Sequence, residues 1–140
     1  MYEDILVPTD GGANVDRVVD HALDIAEEGT TVHALYVVDT RSFLTLADDT
    51  VEEVVAELTE EGERATGAVA DRATEAGFET ETEVRRGDPA EVIHDYCFET
   101  DVDLVTMGHH AEDQRAMLGS VAQQVVSKAT VPVLTVHVDD

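Results

Sequence analysis

The sequence predicts an α/β fold: an open, five-stranded parallel sheet in the order 3-2-1-4-5, with helices on both faces, in one domain over residues 1–140. Three observations predict it. Short apolar runs of strand length alternate with longer stretches of 3.6-residue apolar period. A strand, a helix and a returning parallel strand form a right-handed crossover, so repeated alternation builds a parallel sheet. Two of the five runs also look like edges. The third is polar, and the fifth contains Pro132, which cannot donate in a central ladder.

The elements follow in order. Tyr2 to Thr9 is the first strand, with Ile5, Leu6 and Val7 as its buried run, and Asp10, Gly11 and Gly12 turn the chain. Asn14 can cap a helix from Val15 to about Glu28, because Val15, Val18, Val19, Ala22, Leu23 and Ala26 make one stripe. Gly29 stops it, and Thr31 to Val38 forms the second strand. A loop with room for a short helical turn covers 39–48. A long helix then spans Asp49 to Ala76 on Val51, Val54, Val55, Leu58, Ala65, Val69 and Ala73, with Gly62 and Gly67 as local interruptions. Past Gly77, Phe78 to Val84 alternates strictly with Glu79, Glu81 and Glu83, as a charged edge strand does. Asp88 and Pro89 read as a cap and first helical residue, opening a helix to about Phe98. Leu104 to Met107 is the fourth strand, ended by Gly108; Ser120 to Lys128 is the last helix, and Val131 to Val138 the fifth strand.

Charge narrows the partners. The chain has 32 acidic residues against 8 basic ones, a formal net charge of −24. Such a surface repels nucleic acid and anionic lipid, so neither DNA, RNA nor a membrane is an expected partner. The acids are spread along the chain and 43% of residues are hydrophobic, which excludes a disordered acidic tail. Screening in concentrated salt, with a Debye length of ~3 Å at 1 M, makes the self-repulsion tolerable. The composition therefore points to the cytosol of a salt-accumulating halophile. One cysteine, Cys97, cannot form an internal bridge, and no run reaches membrane-span length, so a cytoplasmic protein is expected.

The stretch from Leu104 to Val126 carries the chemistry. A buried strand ends at Gly108, a polar loop follows, and Gly119 and Ser120 open an apolar-periodic helix. Glycine allows close backbone approach, and a helix start offers unpaired N–H groups, which together suit a phosphate. An ordinary βα connection would have the same outline. Strand order decides between them. With strands one and four adjacent, their carboxyl ends meet at the topological switch point, where open α/β sheets bind ligands. Those ends are Pro8, Thr9 and Asp10 on one side and Met107 and Gly108 on the other. His109 is placed to touch a base or a phosphate there. His94 and Cys97 share a helix face, and one packed cysteine beside a half-exposed histidine accounts for them. Neither a hydrolase triad nor a Walker A loop is readable, so enzymatic activity is not expected.

Ile5-Leu-Val-Pro-Thr-Asp-Gly, Tyr36-Val-Val-Asp, Asp103-Leu-Val-Thr-Met-Gly, Leu118-Gly-Ser-Val-Ala and Val131-Pro-Val-Leu-Thr-Val, in this order, resemble the universal stress protein family over nearly the whole chain. ATP-binding members of that family carry Gly-x2-Gly-x9-Gly-[Ser/Thr] here. In this chain the first glycine is Gly108 and the last pair Gly119-Ser120, but Ala111 stands at the middle glycine. Ten residues, 109–118, separate the outer glycines where the motif has twelve. The resemblance implies ATP or another adenine nucleotide as ligand. Pro8, Asp10 and Val37 would lie round adenine and ribose, Met107 and Gly108 would form the floor, and Gly119, Ser120 and Val121 would hold phosphates. Glu112 and Asp113 face only Arg115 in that loop, so a triphosphate would call for a divalent cation such as Mg. The last strand, with Val133, Leu134, Val136 and Val138, is apolar on both faces, and many members of the family dimerise through it. A homodimer through that strand is expected. Three readings remain open: a dimeric nucleotide-binding stress or regulatory protein, a ligand-free dimeric interaction module of the same family, and a slow ATPase.

Overall fold

A computed structural model describes residues 2–12, 15–43, 46–110 and 120–138. In chain order the elements are β1 (Asp4–Pro8), α1 (Val15–Ile25), β2 (Thr31–Asp39), a 3-10 turn (Arg41–Phe43), α2 (Asp48–Glu75), β3 (Glu79–Gly87), α3 (Pro89–Thr100), β4 (Leu104–His110), α4 (Ser120–Lys128) and β5 (Val133–Val138). The sheet has five strands in the order β3-β2-β1-β4-β5. Every pairing is parallel; Ile5 sits opposite Val32 on one side and Leu104 on the other. The architecture expected from the alternation is the one observed.

The strand alternation divides the core between the two faces. Ile5, Val7, Val32, Ala34, Leu104, Val136 and Val138 pack on Val18, Val19 and Ala22 of α1 and Val69 and Ala73 of α2. Leu6, Leu35, Val105 and Met107 pack on Ala90, Ile93 and Tyr96 of α3 and Ala122 and Val125 of α4. Consecutive residues such as Ile5 and Leu6 are both fully buried because helices cover both faces. Among the described residues no helix is long and apolar enough to cross a membrane.

His33 is a buried polar residue at 2% exposure. Its Nε2 lies 2.9 Å from Asp4 Oδ1 and its Nδ1 lies 2.7 Å from the Tyr96 hydroxyl. With the carboxylate accepting from Nε2–H, the phenol donates to Nδ1. Burial, and then nearby Glu83 and Glu81, push the Tyr96 phenol up to about 12, which keeps that donor protonated. The contact ties the amino end of the sheet to α3.

Several boundaries differ from those read in the sequence. β4 does not end at Gly108. It runs on to His110 because β5 keeps pairing alongside it, His109 with His137 and His110 with Val138. Gly108 is a packing glycine: a Cβ there would lie 3.0 Å from Val18 Cγ2. β3 extends past Val84 to Gly87, since β2 offers partners as far as Asp39. Arg85 in that extension lies 5.0 Å above the Tyr96 ring and bonds Glu83 and Glu99. α1 closes at Ile25, three residues early, and β5 starts only at Val133, after Pro132. Asn14, read as the cap of α1, lies outside the described residues. Asp88 caps α3 as expected, accepting from the amides of Ala90 and Glu91.

The last strand is also less open than its sequence suggests. Val136 and Val138 are 5% and 6% exposed because α1 covers them within the chain. They are core residues and not a surface for a second copy. Val133, Leu134 and Thr135 are half-buried, Val133 and Leu134 packing against the core, and His137 is the exposed side chain of β5.

Candidate functional site

α1 leaves β1 on one face of the sheet and α4 follows β4 on the other, so the carboxyl ends of these neighbouring strands part and open a crevice. The crevice is a cavity of about 410 Å³. Pro8, Thr9 and Asp10 line it from the end of β1, Val37 and Asp39 from β2, Met107, Gly108 and His109 from β4, and Val121 and Ala122 from the first turn of α4. Pro89 and Ile93 of α3 close the side facing β2.

The turn after β1 fixes its carboxylate. Thr9 N–H donates to Leu35 carbonyl at 2.9 Å, continuing the sheet for one residue. Thr9 Oγ1 accepts from Gly11 N at 3.1 Å, and Asp10 Oδ1 accepts from Gly12 N at 2.8 Å. Gly11 has φ +81°, and a Cβ on Gly12 would stand 2.9 Å from Asp10 Oδ1. The two glycines are what let Asp10 fold back on its own backbone at the cavity rim.

A second carboxylate, Asp39, ends β2. Arg41 grips it with a fork, Nε to Oδ1 at 2.9 Å and Nη2 to Oδ2 at 2.7 Å. That hydrogen-bonded guanidinium holds the Asp39 carboxyl below its ordinary value. The Tyr36 phenol is raised by burial first and then by the charges of Glu61 and Asp10. The His109 ring meets the His137 ring edge-on, with centroids 5.3 Å apart.

Eight of the ten ligand-site residues expected from the sequence therefore line one cavity: Pro8, Thr9, Asp10, Val37, Met107, Gly108, His109 and Val121. Ser120 is the first residue of α4, beside them. Gly119, Ala111 and the Ser120 side chain lie outside the described residues. Sequence reasoning missed Asp39, Pro89 and Ile93. Asp39 had a usable signal, since it follows Val37 at the carboxyl end of a strand next to the switch point. Pro89 and Ile93 had none, because their place depends on how α3 crosses the sheet. Among the described residues there is no group of three or more His, Cys, Asp or Glu placed to hold a metal ion. Burial pushes the Cys97 thiol up to about 11, so it is not a ready thiolate ligand beside His94.

Comparison with known proteins agrees with the fold. The model of the universal stress protein family matches residues 1–137. Universal stress protein MJ0531 of Methanocaldococcus jannaschii is 37% identical over 140 residues, covering 97% of this chain and 82% of that protein. A universal stress protein of Methanothermobacter thermautotrophicus is 34% identical over 136 residues, covering 92% and 91%. The solved structure of MJ0577, also from Methanocaldococcus jannaschii, superposes with a TM-score of 0.88 at 27% identity over 100% of this chain and 99% of that one. Two structures at 24% identity share the fold. One is a universal stress protein in complex with cAMP, with a TM-score of 0.72 over 97% of each chain. The other, from Archaeoglobus fulgidus, is in complex with dAMP, with a TM-score of 0.65 over 96% of this chain and 97% of that one.

Proposed function

The chain belongs to the universal stress protein family, and on that premise we propose that it is a dimeric, cytoplasmic regulatory protein that binds an adenine nucleotide at the carboxyl ends of β1 and β4. The observation that carries this is the cavity itself: about 410 Å³, apolar on its floor and polar at its rim, at the switch point of the sheet. Val37, Met107 and Val121 give an adenine ring apolar surface. Asp10, held by Gly12 N–H, is placed to accept from ribose hydroxyls. The N-terminus of α4, whose Val121 and Ala122 line the cavity, would offer its amides to a phosphate. Proteins of the same fold that carry cAMP and dAMP support the choice of adenine. ATP with Mg is a member of this ligand class. The bound nucleotide would act by biasing the surface that α4 and β5 present.

The second copy would pair along β5. Among the described residues β5 is an edge strand of the sheet, and it carries Val133 and Leu134 without the glutamates that protect β3. The ligand-free reading has one observation in its favour, Ala111 in place of a glycine in a loop two residues short.

One preparation tests both parts. Protein purified without denaturation in molar KCl should scatter light as a dimer, about twice the 15.2 kDa of one chain. Acid extraction followed by mass spectrometry should release an adenine nucleotide in near-stoichiometric amount. A dimer that releases none and binds none on addition would favour the ligand-free module. A monomer would remove β5 as an interface.

A further inference from the structure

The cavity and one edge of the sheet share a strand. Val138, the last residue of β5, lines the cavity together with Gly108 of β4. It stands close over that glycine, since a Cβ on Gly108 would lie 3.5 Å from Val138 Cγ1. His109, the next residue of β4, lines the cavity too, and its ring meets the His137 ring edge-on with centroids 5.3 Å apart. The register makes these contacts continuous: Gly108 lies opposite Val136, His109 opposite His137 and His110 opposite Val138. The other edge of the sheet is different. Among the described residues that line the cavity, none belongs to β3.

Resting on the nucleotide and dimer readings above, we propose that filling of the cavity and pairing of β5 with a second copy reinforce one another through His109, His137 and Val138. Among the described residues β5 has a neighbouring strand on one side only, β4. A strand paired on one side keeps more freedom than a strand paired on both. A nucleotide resting on Val138 and His109 orders the carboxyl half of β5, and a second copy hydrogen-bonded along β5 orders the same residues. Whichever binds first bears the entropy cost of that ordering, and the other then meets a strand already set. The effect is reciprocal. If each site binds AMP about fivefold more tightly in the dimer than in the monomer, saturating AMP must tighten a two-site dimer about twenty-five-fold. β3, which has no part in the cavity wall, stays outside this coupling.

Sedimentation of the whole chain in molar KCl, over a dilution series with and without AMP, tests this. Saturating AMP should lower the dimer dissociation constant about twenty-five-fold. Hydrogen exchange covers a dimer too tight to dilute apart: AMP should slow the β5 amides several-fold more than the β3 amides. His137→Ala removes an exposed side chain, so the fold is kept. This variant should still dimerise and bind AMP, but the tightening should fall to about fivefold or less, and the difference between β5 and β3 should shrink with it. A dissociation constant that AMP leaves unchanged would overturn the coupling and leave both earlier readings standing. In an undissociated dimer, β5 amides slowed no more than those of β3 would do the same. Full tightening in His137→Ala would overturn the part given to the histidine pair. A monomer at every concentration would overturn the dimer reading, and calorimetry showing no AMP binding to the same samples would overturn the nucleotide reading; the coupling falls with either.

Discussion

Thermal melts of this protein should rise steeply across a KCl series, from low salt to molar concentration. The reason is the imbalance of 32 acidic against 8 basic residues. At low ionic strength the Debye length reaches ~30 Å, longer than a small domain's radius, so the carboxylates all repel one another. Unfolding relieves that repulsion by moving the charges apart. Salt also acts the other way, because it weakens ion pairs. Arg41 with Asp39, Arg72 with Asp16 and Asp20, and Arg85 with Glu83 and Glu99 would all lose strength. Exposed pairs of this kind contribute little, because solvent and salt screen them. The unmatched charge of −24 outweighs them. If screening restores roughly 5 kcal/mol, at about 4 °C per kcal/mol the midpoint rises on the order of 20 °C. A midpoint that stays flat or falls between the two limits would contradict a salt-adapted surface.

The second large effect is a pair of substitutions on α2 with opposite signs. Gly62 and Gly67 both interrupt a helix of 28 residues, and helix propensity alone favours alanine at each by about 1 kcal/mol. Their surroundings differ. A Cβ on Gly62 would lie 2.5 Å from Tyr36 Cδ1, 2.9 Å from Tyr36 Cγ and 3.1 Å from Val84 Cγ2. The helix rests directly on the Tyr36 ring, and only glycine lets it approach so closely. Displacing that ring costs about 1–3 kcal/mol, which exceeds the propensity gain. Gly62→Ala should therefore destabilise, and it should also weaken ligand binding, because Tyr36 lines the cavity. Gly67 has no atom within 4 Å of its would-be Cβ. Gly67→Ala should stabilise by roughly 1 kcal/mol. Urea melts of the two variants check this; the same sign in both would mean that the contact of α2 with the sheet is misread.

These glycines also show what a sequence holds and what it withholds. Apolar period alone placed α2 within one residue at each end, yet it treated both glycines as interruptions. Only the packing distinguishes a glycine that admits a tyrosine ring from one that faces solvent. The same holds for Gly108. After a short apolar run it looked like a strand terminator, but the strand continues, and the glycine is there because Val18 of α1 presses against it. The end of β3 was hidden because Arg85 and Arg86 break the alternation, although they still pair with Val37 and Val38. Strand order was legible from two features: glutamates on β3 and Pro132 ahead of β5. Order in turn located the crevice, and with it Pro8, Asp10, Met107 and Gly108. Asp39 lies within reach of the same reasoning, two residues past Val37 at the end of β2. The parts contributed by α3 were not legible, because a helix's crossing of a sheet is set by side-chain packing across both surfaces.

The central claim is that an adenine nucleotide occupies the cavity between β1 and β4. Titration of AMP followed through backbone amide resonances in molar KCl tests it most directly. The account predicts shifts concentrated at Thr9, Asp10, Val37, Gly108 and Val121, with Glu79 on β3 and Arg72 on α2 unmoved. Shifts centred on α2 or β3, or a spectrum that AMP leaves unchanged, would contradict it.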